Sequence, residues 1–376
     1  MAGLYIHIPF CRQKCHYCNF FSLASRKNQP QIIASLLQEI ELQRTYLGGE
    51  PLKTIYIGGG TPSLFSPEII QSLIEKANTV FGIENDAEIT LEANPDDITS
   101  SWLTGLRKTS VNRLSIGIQS FFDEDLTWLH RAHTAAEAIN AVKSAQDFGF
   151  QNLSIDLIYA IPTLSDEGWN ENISRAISLG VPHISAYALT VEPGTALDLF
   201  IRKGKYQNVD DEKAARQFTI LMERLSGNNF IHYEISNFCT EGHYSRHNTS
   251  YWSGEKYLGI GPSAHSYNGI SRQWNVSNIT GYIKSINLGI IPAEKEILTK
   301  IQKFNEYLMT SLRTVWGTDL DKIEAIFGKE FHDYTLNEIQ PSIINELAFI
   351  ADNKIRLTSA GKLFADRIAS DIFITL

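Results

Sequence analysis

Three cysteines fall within eight residues, at Cys11, Cys15 and Cys18, and a fourth, Cys239, stands alone far downstream. Thiolates are soft ligands that suit zinc and iron–sulfur clusters. In a reducing compartment a tight trio is more often a metal or cluster site than a disulfide framework. Structural zinc usually takes four ligands, often as two separated pairs, and no second pair exists here. A cluster held by three cysteines would leave one iron open to an exogenous ligand. Two alternatives stay beside it: a zinc site completed by Cys239 or a histidine such as His16, and three buried thiols with no metal.

Further residues invite a chemical reading. Gly58-Gly59-Gly60-Thr61-Pro62 follows a β-rich run; consecutive glycines let backbone approach a ligand closely and expose N–H groups to it. A tight strand-to-helix turn explains the same residues. Glu92, Gln119, Asp156 and Tyr187 end successive β-rich runs, the edge where α/β proteins bind ligands. Two carboxylates and an amide there make a cradle for a cationic or zwitterionic small molecule, and Arg131 brings a charge that suits a carboxylate. Their alternative is a helix cap or a solvated loop. His247-Asn248-x2-Tyr251-Trp252 sets a histidine among aromatic residues, as an axial haem ligand would need or as a hydrogen-bonded structural histidine would also look. His265 carries the same ambiguity, and Gly259 and Gly261 mark a turn.

These residues need a scaffold. Leu4–Ile8, Thr54–Ile57, Glu88–Glu92, Arg113–Ile118, Asn152–Leu157 and His183–Tyr187 read as strands separated by helical stripes such as Ile69, Leu73, Ile74, Ala77 and Phe81. Ser66-Pro67 reads as an N-cap with proline at the first helical position. Thr134 with Glu137 reads as a capping box for a helix lasting to about Phe148. Six β/α units imply a parallel α/β sheet, open and doubly wound or curled into a partial barrel, with fewer units than a closed eight-fold barrel. Another amphipathic helix is expected from Asp210 to about Asn228. The Gly-, His-, Tyr- and Asn-rich stretch after it shows little periodicity. The expected division is a core over 1–235, a connecting region over 236–290 and a mainly helical C-terminal domain over 291–376 that ends in a strand, a turn and a helix.

Composition sets outer bounds. The net charge of −9 argues against a general nucleic-acid binder, so the basic residues of that last segment, Lys354, Arg356, Lys362 and Arg367, read as solvated surface charge rather than a winged-helix DNA reader. No apolar run approaches the ~18 residues that cross a bilayer, and the first ten residues lack a basic signal-peptide start. The chain is expected to be cytoplasmic, with reduced thiols.

Together the motifs point to a family. Tyr5-x-His7-Ile8-Pro9-Phe10-Cys11-x3-Cys15-x2-Cys18 is similar to the signature of radical S-adenosylmethionine (SAM) proteins, and more narrowly it resembles the oxygen-independent coproporphyrinogen III oxidase group. Gly58-Gly-Gly-Thr-Pro62, Glu92-Ala-Asn-Pro95, Ser115-Ile-Gly-Ile-Gln-Ser-Phe121, His130-Arg131, Asp156-Leu-Ile, Tyr187-x-Leu189-Thr190-x-Glu192-Pro193 and Tyr233-Glu234 continue the resemblance along essentially the whole chain. Within the group the chain resembles the haem chaperones rather than the oxidases. Phe20 stands where the oxidases keep a fourth cysteine, Cys11 follows only ten residues, and the His247 motif is similar to one associated with haem binding in that branch.

The resemblance implies a partial (β/α)6 TIM-like barrel, the radical SAM core, with a smaller, mainly helical, winged-helix-like C-terminal domain. It implies a [4Fe–4S] cluster on Cys11, Cys15 and Cys18, with SAM binding the open iron through its amino and carboxylate groups. It carries over Tyr5, Tyr17, Gly59, Gly60, Thr61, Glu92, Gln119, Arg131 and Asp156 as SAM-site residues, with Gly59, Gly60 and Thr61 facing its methionine end. Phe20 alters the motif beside the place where the oxidase group holds a second SAM. His247 becomes the haem candidate. The implied function is to bind haem and transfer it to acceptor haem proteins. Partners would be haem and those acceptors, with peripheral contact with membrane respiratory proteins, no nucleic acid, and a monomer or homodimer as the assembly. No catalytic residue is assigned. The rival reading is the oxidase itself, which would decarboxylate coproporphyrinogen III to protoporphyrinogen IX.

Overall fold

Six parallel strands form the centre of the computed structural model, which describes residues 2–25 and 27–375. In chain order these units run β1 (Ala2–Ile8), α1 (Gln29–Leu42), β2 (Leu52–Gly59), α2 (Pro67–Phe81), β3 (Ile83–Ala93), α3 (Ser100–Leu106), β4 (Arg113–Gln119), α4 (Asp123–Trp128), α5 (Ala135–Asp147), β5 (Leu153–Tyr159), α6 (Asp166–Ser178) and β6 (His183–Ala188). Each of β1 to β6 lies parallel to the next. The strands are near-continuously apolar because both faces are covered: all seven residues of β4 are buried, and six of the seven in β1. The helices cover the outer face with one apolar stripe each, as α2 does with Ile70, Leu73, Ile74 and Ala77.

Local signals account for the helix ends. The Thr134–Glu137 capping box is present, and α5 stops at Phe148 as its C-cap. Pro67 opens α2, but Ser66, at the N-cap, makes no side-chain capping bond; proline at the first helical position needs none of its own. After α7 (Ala196–Arg202), the helix expected from Asp210 appears as α8 (Asp211–Ser226), with Asp210 accepting from the N–H groups of Glu212 and Lys213.

The stretch without periodicity folds into strands. There follow β7 (Ile231–Glu234), β8 (Asn237–Cys239), α9 (Arg246–Trp252), β9 (Lys256–Ile260), β10 (His265–Tyr267), β11 (Ser271–Asn275), α10 (Ile279–Asn287) and β12 (Ala293–Ile297). They extend the same sheet at both ends, giving the order β12-β11-β10-β9-β1-β2-β3-β4-β5-β6-β8-β7. Phe238, Leu258, Ile260 and Tyr282 join the core of the barrel.

A second core gathers Phe304, Leu312, Leu320, Ile323, Ile355 and Ile368. It lies among α11 (Lys300–Leu312), β13 (Thr318–Asp319), α12 (Leu320–Phe327), α13 (Lys329–Glu338), α14 (Gln340–Ile344), β14 (Ala348–Ala351), β15 (Lys354–Leu357), α15 (Ser359–Lys362) and α16 (Ala365–Asp371). The strands form a separate antiparallel sheet, β13-β15-β14. This is the winged-helix-like arrangement, helices against a small sheet. Among the described residues no helix is long and apolar enough to cross a membrane.

Candidate functional site

The strand ends surround a cleft of about 370 Å³. It is lined by Cys11, Cys15 and Cys18, by Tyr17, Gly59, Gly60 and Thr61, and by Glu92, Gln119, Arg131 and Asp156. These eleven residues singled out in the sequence, and Tyr187 with them, thus meet at one place. Parallel strands explain why. Each contributes its C-terminal end to one edge of the sheet, so residues far apart in sequence converge there.

The cysteines lie on the loop after β1. All three are free thiols, partly exposed, and burial pushes the Cys18 thiol up to about 11. Among the described residues no group of three or more His, Cys, Asp or Glu converges on a single metal ion. A cluster binds its thiolates at separate corners and needs no such convergence. Cys239 is buried on β8, opposite His183 on β6, and is not part of the cleft. His16 stacks on His130, ring centroids 4.5 Å apart. Three thiols at the mouth of a polar cleft fit a cluster with one unligated corner.

The glycine turn does something the sequence reading did not anticipate. Its N–H groups are occupied: Gly59 donates to Glu92 Oε2 at 3.0 Å, Gly60 to the Ile8 carbonyl and Thr61 to the Phe10 carbonyl, both at 2.7 Å. The turn therefore locks the cysteine loop to β2 and offers a ligand bare backbone rather than free N–H groups. A Cβ on Gly60 would lie 2.4 Å from the Phe10 oxygen, and one on Gly59, whose φ is +108°, 2.5 Å from the His7 ring. Gly60→Ala should lower thermal stability by about 2 kcal/mol. A melting curve superimposable on wild type would show that the two loops are not coupled through this contact.

A closed set of bonds ties the loop to the strand ends. Arg131 donates from Nη1 to Cys15 Sγ at 3.4 Å, and from Nη2 to Asn94 Oδ1 and the Gly117 carbonyl at 2.7 Å each. Asn94 Nδ2 donates to Thr61 Oγ1 at 3.2 Å. On the other side of Cys11, Arg12 pairs with Asp96 at 3.2 Å and Asp97 at 2.5 Å, and Asp97 accepts from Ser63 Oγ at 2.7 Å. Gln119 sits at φ +71°, a left-handed conformation held at the end of β4; non-glycine residues accept such strain mainly at functional sites.

The two carboxylates line the cleft and are part-buried in its wall. Burial, reinforced by the Asp156 charge, pushes Glu92 up to about 7 against the bonds it accepts from Tyr56 and Gly59. Burial likewise pushes Asp156 up to about 6, opposed by Ser185, Arg113, Ser115 and Arg131. The cleft thus holds two carboxylates that a bound cation would return to the ionised form.

Two expected residues lie elsewhere. Tyr5 is beside the cleft lining and not part of it: its hydroxyl bonds His7 Nδ1 at 3.0 Å, and its ring lies 6.1 Å from that of Tyr56, which does line the cleft and donates to Glu92 Oε1 at 2.8 Å. His247 is 1% exposed. Both its ring nitrogens are engaged, Nδ1 with Thr54 Oγ1 and Nε2 with the Tyr251 hydroxyl, each at 2.8 Å. The neighbouring Asn248 is the residue of that motif that lines the cleft. Sequence reasoning also missed Tyr56, Arg113 and Ser154. Period-two alternation along β2, β4 and β5 would have turned all three toward the barrel interior.

The chain matches the radical SAM superfamily over residues 5–176 and the HemN C-terminal domain over residues 298–364. It is 33% identical to the haem chaperone HemW of Bacillus subtilis, over 98% of each chain. It is 32% identical to HemW of Mycobacterium tuberculosis strain H37Rv, over 97% of this chain and 93% of that one. The HemW of Escherichia coli is 38% identical over 70% of this chain and 69% of its own. The coproporphyrinogen III oxidase HemN of E. coli, described as a radical SAM enzyme, has the same fold, with a TM-score of 0.85, 23% identity, and coverage of 100% of this chain and 90% of that one.

Proposed function

This chain belongs to the HemW haem-chaperone family of the radical SAM superfamily, and from that premise we propose that it binds haem and passes it to acceptor haem proteins, with a [4Fe–4S] cluster and SAM governing the transfer. The observation that carries the reading is the convergence of Cys11, Cys15 and Cys18 with Glu92, Gln119, Arg131 and Asp156 in one cleft. The three cysteines would hold the cluster, which when bound supplies one open iron and a one-electron redox couple. Glu92 and Asp156 would meet the positive end of SAM, and Arg131 a carboxylate. Haem is taken by the region containing His247, the acceptors include respiratory haem proteins approached peripherally at the membrane, and the cytoplasm is the compartment.

The test is anaerobic reconstitution with iron and sulfide, loading with hemin, and mixing with an apo haem protein. The expected result is about four irons per chain, a spectral change with SAM, and movement of the Soret absorbance to the acceptor. One tightly bound zinc, or no hemin binding, would overturn the reading. Multiple-turnover formation of protoporphyrinogen IX from coproporphyrinogen III would make the protein an oxidase instead.

The carboxylates give the site a pH signature. SAM is cationic, so its affinity needs Glu92 and Asp156 ionised. With Glu92 at about 7, affinity at pH 6 should be roughly ten-fold weaker than at pH 8. In ligand-free protein the sign reverses. A carboxyl raised above its unfolded value favours the fold at low pH and costs stability as pH rises through the folded value. Calorimetric titration at the two pH values checks this, and a flat affinity would remove Glu92 from the contact.

A further inference from the structure

One buried cation in the cleft has no assigned work. Arg113 opens β4, is 1% exposed and lines the cleft. Its Nε and Nη2 make no hydrogen bond. Its ion-pair partner, Glu88, lies 3.9 Å from Nε, beyond hydrogen-bond reach. Glu88 is already engaged, accepting from the backbone N–H groups of Arg246 and His247 at 3.0 Å each. Buried polar groups are nearly always paired, and a guanidinium takes carboxylates two oxygens at a time through its Nε and Nη edge.

The place matters as much as the pairing. Arg113 and Gln119 stand at opposite ends of β4, some 20 Å apart along the strand. Of the residues carried over for SAM, Gln119 marks the far end, while Glu92 and Asp156 stand beside the middle of β4, in register with Ser115 and Gly117. Toward the other end the lining is Arg113, Ser115, Ser154, Ser185 and Asn248. Ser115 sits in register with Ser154, and Ser154 Oγ bonds His183 Nδ1 at 2.7 Å. Asp156 borders this floor from above and accepts from Ser115 Oγ at 3.4 Å; below it, Arg113 with the Ser154 hydroxyl and the Asn248 amide leaves one cation free to take a small anionic group at the end of a ligand arm.

We propose that this inner floor of the cleft is a carboxylate subsite anchored by Arg113, entered by a carboxylate-bearing arm of a bound ligand. The inference rests on the haem-and-SAM reading, because those two ligands bring carboxylates: the propionates of haem and the methionine carboxylate of SAM. Asn248 brings the His247 motif to the same floor, so occupancy of the cleft and the position of α9 are in physical contact.

The test removes the carboxylate from the ligand as well as the cation from the protein. Cluster-loaded full-length protein is titrated with hemin against hemin dimethyl ester, and with SAM against decarboxylated SAM. Wild type should bind one of the carboxylate-free ligands at least ten-fold more weakly, and which one identifies the source. Arg113→Gln should cut that penalty to two-fold or less, as a coupled pair requires. Arg113→Lys keeps the charge opposite Glu88 and serves if the glutamine variant does not fold; it should give an intermediate penalty. Penalties identical in wild type and variant, or absent in wild type, overturn the subsite and leave Arg113 as the counter-ion of Glu88. Failure of both hemin and SAM to bind wild type overturns the parent reading, and this inference with it.

Discussion

Replacing any one of Cys11, Cys15 or Cys18 with alanine should take reconstituted iron from about four atoms per chain to well below one. The three thiols that border the cleft are the proposed ligand set, and two thiolates would leave half of a four-iron cluster unheld. The loss should be specific, because the cysteines are partly exposed on a loop and belong to neither hydrophobic core. The metal-free variants should therefore melt within about 1 kcal/mol of metal-free wild type. Cys239→Ala supplies the control. That thiol is buried on β8, where burial pushes it up to about 12, and it does not border the cleft, so iron content should not change. Loading should also slow toward acid pH, because Cys18, raised to about 11, must give up a proton to bind iron. Iron and sulfide assays on the four variants check all of this. Four irons retained in the three loop variants would end the assignment.

What could be read from residues alone follows a physical divide. The parallel strands were legible because a strand covered on both faces is a short apolar run, and β1, β4 and β5 are such runs. The site was legible because consecutive strand ends meet at one edge: Glu92, Gln119 and Asp156 could be placed together without knowing how the sheet curls. Strands β8 to β12 were hidden. They are three to five residues long, and all but β9, which lies parallel to β1, pair only antiparallel, so the irregular composition of that stretch masked an ordinary extension of the sheet. Hydrogen-bond direction was hidden too. Glycines 58–60 announce a close approach, but only the folded chain shows what approaches: Glu92 and Tyr56 at Gly58, the His7 ring at Gly59, and the Phe10 and Ile8 carbonyls at Gly60. Arg113 was read as the start of a strand, and the absence of a hydrogen bond at its Nε and Nη2 is a three-dimensional fact. For His247 the motif marks importance, while the wall it is built into decides what it can touch.

That wall makes His247 the second test with a large effect. The ring is stacked 5.2 Å from Tyr56 and edge-on to Tyr251 at 4.9 Å, with a hydrogen bond at each nitrogen. Burial, helped by the Arg113 charge, brings its pKa down to about 3, so the imidazole is neutral at physiological pH, the form that ligates iron. If Thr54 Oγ1 accepts from Nδ1–H, the lone pair on Nε2 points at Tyr251, and the threonine plays the orienting part that partners of metal-bound histidines usually play. Haem iron can reach Nε2 only by displacing the Tyr251 hydroxyl. Tyr251→Phe removes that competitor and keeps the ring, so hemin should bind several-fold tighter, at a stability cost near 1 kcal/mol for one hydrogen bond. His247→Ala should abolish the histidine-type haem spectrum and also cost about 2–4 kcal/mol, since it opens a cavity and strands two hydroxyls. The opposite signs of the two effects on hemin separate ligation from folding. Loss of affinity in both variants would mean that α9 must stay packed for haem to bind at some other atom. Unchanged affinity and spectrum in both would take His247 out of the haem site and leave it as the residue that fastens α9 to β2.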